Sequence, residues 1–130
     1  VALAHIPQPL ERLGDWLGTA EGRARLAEVR ALGLHLELCP SSNVHTGAVP
    51  SLAAHPIAAL WRAGISLSYH TDNPLMSCTS QSAEAAILLA HQGLTLADLG
   101  AMAVQAAEHS FLPDAVRLPA LQRLHMHAWI

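Results

Sequence analysis

Two short stretches alternate strictly between apolar and polar side chains, and together they restrict the fold more than anything else in the chain. In Leu34–Cys39, the residues Leu34, Leu36 and Leu38 share one face and His35, Glu37 and Cys39 the other. In Ile65–Asp72, Ile65, Leu67 and Tyr69 oppose Ser66, Ser68, His70 and Asp72. A period of two predicts strands. Between them Pro56 opens a helical stretch that runs through Leu60 and Trp61 to Gly64. Strands joined by a crossover containing a helix are parallel. Ordinary parallel strands are apolar on both faces because both are covered. Here helices can cover only the leucine faces. The polar faces must point elsewhere, such as the interior of a barrel near a site.

The remaining pattern is helical. Thr19 to Leu32 reads as a helix capped by Thr19, with Glu21 in its first turn, Gly33 as its stop and Leu26, Val29 and Leu32 as its buried stripe. Pro40-Ser41-Ser42-Asn43 and the run Asn73 to Ser80 carry loop chemistry. A helix is expected over Ser82–Gln92, ended by Gly93, and Thr95 with Asp98 forms a capping box for another reaching about His109. Pro113 and Asp114 start a last helical stretch that Pro119 should break or restart. Residues 1–18, with Pro7, Pro9, Gly14 and Gly18, show no sustained period. The expected order is helix, strand, helix, strand, helix, helix, helix.

At 130 residues the chain is long enough for one domain with a modest core. Its net charge of −3 and lack of a basic run exclude a nucleic-acid footprint. No apolar run approaches the ~20 residues that span a bilayer. The N-terminus lacks a charged region followed by an apolar one, so export is not indicated. Cys39 and Cys78 make no disulfide framework, which points to a reduced, cytoplasmic setting. All seven basic residues are arginine, a bias that suits a GC-rich bacterial genome. Val1 reads either as a GTG start or as the cut end of something longer.

The chemistry concentrates at Ser66–Pro74. A carboxylate, Asp72, ends an apolar-backed strand and is followed by Asn73 and Pro74. In α/β enzymes that is where reactive groups collect. The bland alternative is a side chain capping a turn, and for Asn73 simple turn formation. His70 shares a strand face with Asp72 and reads either as a supporting partner or substitute ligand, or as a satisfied interior histidine. Glu37 reads as an interior acceptor or an acid, Cys39 as a buried thiol or a soft metal ligand, and Cys78 as a loop thiol. Ser41, Ser42 and Thr46 would line a pocket mouth. His55 packs at a helix start. His125 and His127, two apart on a helix, face solvent.

Leu36-Glu37-Leu38-Cys39-Pro40-Ser41-Ser42-Asn43, Thr46-Gly47-Ala48-Val49, His55-Pro56, Thr71-Asp72-Asn73-Pro74 and Ser110-Phe111-Leu112-Pro113 follow one another in an order and spacing that resembles the C-terminal part of the adenosine deaminase family. The resemblance is best over residues 33–113, poor over 1–32, and gives way to a C-terminal helix over 114–130. It implies an α/β fold, a partial TIM (β/α)8 barrel comprising the last two or three βα units plus C-terminal helices. It implies hydrolytic deamination of a purine nucleoside, adenosine to inosine and ammonia, with one zinc ion. It also implies that Asp72 binds the metal and helps orient the attacking water. The next position, usually aspartate, hydrogen-bonds the purine N7; here Asn73 can still donate through its NH₂. That asparagine also looks like an actinobacterial branch of the family.

The H-x-H pair, the H-A-G-E segment and the catalytic glutamate of the family are absent. Arg12-Leu13-Gly14-Asp15-Trp16 sets Asp15 where the family's R-L-G-H-G histidine belongs. The expectation is therefore an incomplete zinc site and a chain inactive alone, completed by the missing N-terminal part of the barrel or by self-association. The rival readings are a non-catalytic fragment or remnant that needs a partner chain, and a hydrolase of another purine.

Overall fold

The computed structural model describes residues 13–126. Val1, Pro7, Pro9, Arg12 and His127, named above, lie outside the described residues. Among the described residues eight helices and two strands follow in the order α1 (Leu13–Leu17), α2 (Ala20–Ala31), β1 (Leu36–Leu38), α3 (Pro40–His45), α4 (Ile57–Arg62), β2 (Leu67–Tyr69), α5 (Pro74–Ser77), α6 (Gln81–His91), α7 (Leu96–Glu108) and α8 (Asp114–Met126).

The two strands are parallel neighbours in one sheet, with Leu36 opposite Leu67, Glu37 opposite Ser68 and Leu38 opposite Tyr69. This register sets apolar beside apolar and polar beside polar, as the alternation requires. The ladder is shorter than expected. Leu34 N–H returns to Val29 O of α2, and Ile65 N–H returns to Leu60 O of α4, so the first residues of each expected strand close the preceding helix instead. At the other ends Pro40 starts α3, and Asp72 turns the chain away at φ 55.

The core lies on the leucine side of the strands. Leu26 of α2, Ile57, Ala58 and Leu60 of α4, Ile65 and Leu67 of β2, Leu88 of α6, and Leu99 and Met102 of α7 form one buried cluster, with Leu36, Leu38 and Tyr69 against it. The outer edge of β2 is closed by two amides. Gln105 Oε1 accepts from Leu67 N–H and Gln81 Nε2 donates to Tyr69 O, each at 2.9 Å. Those bonds set α7 and the start of α6 beside β2 and satisfy backbone groups that would otherwise lack partners.

Several expectations hold in detail. Thr19 caps α2, Thr95 and Asp98 form the capping box of α7, and Gly33, Gly64 and Gly93 end helices in left-handed conformations. Others do not. Pro40–Asn43 is the start of α3 rather than a loop, because Pro40 sits at the first helical turn, where its missing N–H costs nothing. The Asn73–Ser80 run contains α5, capped by Asn73. Leu32 caps α2 from outside the core and is 63% exposed. Pro119 neither breaks nor restarts α8. That helix buries no residue fully, so a carbonyl left unpaired by the proline can be hydrated. Among the described residues no helix is long and apolar enough to cross a membrane.

Candidate functional site

The C-terminal ends of β1 and β2 carry the candidate residues. Beyond β2 the chain reaches Asp72 in the left-handed region, a conformation that costs a non-glycine residue about 1–2 kcal/mol. Asp72 is exposed. Ser42 of α3 donates its hydroxyl to Asp72 Oδ2 at 2.8 Å. The segments after the two strands thus meet at this carboxyl.

Asn73 acts first as a helix cap. Its Oδ1 accepts from the backbone N–H groups of Leu75 and Met76, both at 3.2 Å. This fixes the amide orientation and leaves its NH₂ as the donor. The bland reading of turn formation is therefore realised, and it is compatible with a donor role. Asn73→Ala is expected to cost about 1 kcal/mol in urea denaturation, whereas Asn73→Asp, which keeps the capping oxygen, should stay within a few tenths.

His70 is tied into a polar ladder on the strand face opposite the core. His35 bonds Ser66 Oγ and Ser68 Oγ through its two ring nitrogens, each at 2.8 Å, and Ser68 Oγ bonds His70 Nε2 at 2.7 Å. Burial pushes the His35 pKa down, and His109 adds to the shift. The His109 ring stacks on His35 at 4.5 Å between centroids. His70 is thereby a hydrogen-bonded, half-buried histidine on the predicted polar face, beside a pocket of about 150 Å³ that Gln81 and Met102 also line. Glu37 is exposed on the same face.

The remaining candidates take structural positions. Cys39 precedes α3 and is half-buried; burial pushes its thiol pKa up, the Asp72 and Glu84 carboxyls add to this, and a bond from the Asp72 backbone opposes it. Cys78 is exposed at the left-handed end of α5, and both thiols are free. Ser41 and Ser42 are buried in α3, and Thr46 returns its hydroxyl to Ser42 O at 2.9 Å. His55 is buried at the start of α4, as expected for a packing role. His125 is exposed on α8.

Glu84 was not singled out by the sequence reading. It is fully buried, with Oε2 accepting from Ser41 N–H at 3.2 Å and Oε1 from the Thr79 hydroxyl at 2.7 Å. Its signal was present: it falls four residues before Leu88, on the apolar stripe of an alanine-rich helix.

Comparison with known proteins fits this arrangement. The family described as adenosine deaminase matches residues 4–126. The adenosine deaminase of Mycobacterium tuberculosis is 40% identical over 109 residues, covering 81% of this chain and 30% of that protein. Adenosine deaminase 1 of Streptomyces coelicolor is 46% identical over 95 residues, covering 72% of this chain and 24% of that protein. The chain thus spans about a third or less of the length of the relatives it matches. Among solved structures, the adenine deaminase of Arthrobacter aurescens superposes with a TM-score of 0.74 at 23% identity, over 81% of this chain and 32% of that one. The N6-methyl-AMP deaminase of Arabidopsis thaliana superposes with a TM-score of 0.71 at 23% identity, over 95% of this chain and 39% of that one. At that identity the two superpositions show a shared fold.

Proposed function

This chain belongs to the adenosine deaminase family, in its C-terminal portion, and we propose on that footing that it supplies the last βα units of a TIM-barrel hydrolase that converts adenosine to inosine and ammonia. The observation that carries the reading is the Thr71-Asp72-Asn73-Pro74 turn at the end of β2, with Asp72 held by Ser42 from the end of the neighbouring parallel strand.

In this reading Asp72 would be one ligand of a zinc ion and would help orient the attacking water that such an ion activates when bound. Its Oδ2 accepts from Ser42 and the residue is exposed, which suits a ligand supplied from the rim of a barrel. Among the described residues no group of three or more His, Cys, Asp or Glu could hold a metal ion. A hydrolytic zinc needs several protein ligands. In this reading the described residues would supply one ligand and do not by themselves complete a zinc site.

Asn73 contacts the purine. Its oxygen is spent on the cap of α5, so its NH₂ donates, and the purine N7 is an acceptor. His70 would support the site from the polar face through its bond with Ser68. The free thiols of Cys39 and Cys78 suit a cytoplasmic enzyme. The ligand class finds support in a further structural neighbour, the ADAL–IMP complex, 26% identical with a TM-score of 0.69.

The test is a chimera. The matching segment of the M. tuberculosis deaminase is replaced by this chain and adenosine absorbance is followed. Zinc-dependent turnover is expected from the chimera, and none from the chain alone with zinc added. A folded, zinc-loaded chimera without activity on any purine nucleoside would overturn the reading. Turnover by the isolated chain would overturn its dependence on the rest of the barrel.

A further inference from the structure

We infer that Glu84 is a positioning residue, whose buried carboxyl ties the segment after β1 to the segment after β2 and so fixes where Asp72 points. Glu84 and Leu88, one turn apart on α6, are both 0% exposed. The alanine-rich helix would pack an apolar residue at position 84 without the cost of burying a carboxyl. That cost is offset only by what the group bonds. Oε2 holds the backbone of Ser41 in α3, and Oε1 holds the hydroxyl of Thr79, just past α5.

Both arms lead to Asp72. On one side, α3 carries Ser42, whose hydroxyl bonds Asp72 Oδ2. On the other, Thr79 N–H returns to Pro74 O at 3.1 Å, and Ser77 N–H returns to Asn73 O at 3.0 Å, closing α5 onto the residues that follow Asp72. Two non-glycine residues at positive φ, Asp72 and Cys78, bracket α5. Such strain persists where the surroundings over-determine the backbone. Glu84 supplies a fixed point to which both segments are fastened.

The inference rests on the deaminase reading for its meaning in catalysis, whereas its measurement needs no turnover. Glu84→Leu and Glu84→Gln are made in the full 130-residue chain, and amide hydrogen exchange is followed by NMR. The reporters are Ser41 and Ser77, with Met102 in the core as control. Leucine removes both acceptors and is expected to speed exchange at Ser41 and Ser77 by roughly 10- to 100-fold, leaving Met102 within about threefold. Glutamine keeps an oxygen for Ser41 N–H, and its NH₂ can meet a rotated Thr79 hydroxyl, so both reporters should stay within about fivefold of the parent.

Equal acceleration at Met102 would reduce Glu84 to a contributor to global stability and overturn the proposal. So would acceleration at Ser41 with Ser77 unchanged. If the leucine variant does not fold, Thr79→Val cuts one arm alone; Ser77 should then accelerate while Ser41 stays protected, and an unchanged Ser77 overturns the coupling. A failed adenosine assay would count against the deaminase reading and leave these exchange rates standing.

Discussion

Asp72→Asn, placed in the chimera of this chain with the mycobacterial deaminase, is expected to lower adenosine turnover roughly a thousandfold or more, about 4 kcal/mol of lost transition-state stabilisation. Asparagine is the informative replacement. It tolerates the left-handed backbone that Asp72 adopts at φ 55. It also keeps an oxygen for the Ser42 hydroxyl, which now bonds Asp72 Oδ2. The variant therefore removes the anionic ligand while leaving the turn and its anchor in place. Alanine would add backbone strain and strand the Ser42 hydroxyl, confusing the two causes. Circular dichroism should be unchanged in Asp72→Asn, and zinc content by elemental analysis should fall. A variant retaining near-parental turnover with full zinc content would remove Asp72 from the metal-ligand role.

The alternating faces of the strands were legible because a period of two is a local signal that packing then obeys. The register pairing Leu36 with Leu67 and Glu37 with Ser68 follows from keeping apolar faces together. Helix stops at Gly33, Gly64 and Gly93 were legible for the same local reason, since each needs φ above zero. The short helices were not. Pro40-Ser41-Ser42-Asn43 has turn composition although Pro40 also suits a first helical turn, and the acceptor that satisfies Ser41 N–H at that helix start, Glu84, lies far along the chain. The same holds within the candidate site. Asp72 and Asn73 could be picked from a strand end followed by proline, but the bond from Ser42 to Asp72 and the bond from Ser41 to Glu84 behind it span 30 and 43 residues. For His70 the interior-histidine reading was the stronger one from the strand pattern, but the partner that its ring bonds, Ser68, is shown only by the structure. A single sequence carries periodicity and caps; it does not print which distant polar groups will satisfy one another.

Acidification is expected to destabilise the fold through His55, by about 3 kcal/mol between pH 6.5 and pH 4. The imidazole is buried at 4% exposure. Its Nδ1 accepts from Ile57 N–H at 3.2 Å, so the proton rests on Nε2, which donates to Asn43 Oδ1 at 2.9 Å. Burial holds its pKa down at about 4, against an ordinary 6.5, while the Glu84 carboxyl opposes the shift. The folded state therefore favours the neutral ring. Below 6.5 the unfolded chain takes up a proton that the folded chain refuses until about 4. The stabilisation is complete above 6.5, falls through that window and levels off beneath it. Protonation would also turn Nδ1 into a donor facing the Ile57 N–H donor, at the start of α4. His55→Asn removes the titrating ring while an asparagine oxygen can still accept from the N–H two residues on. Urea unfolding of both proteins at several pH values isolates the effect, because other titrating groups are common to the two. The parent should lose about 3 kcal/mol more than the variant across the window. Parallel stability profiles would mean that His55 is not the group that titrates.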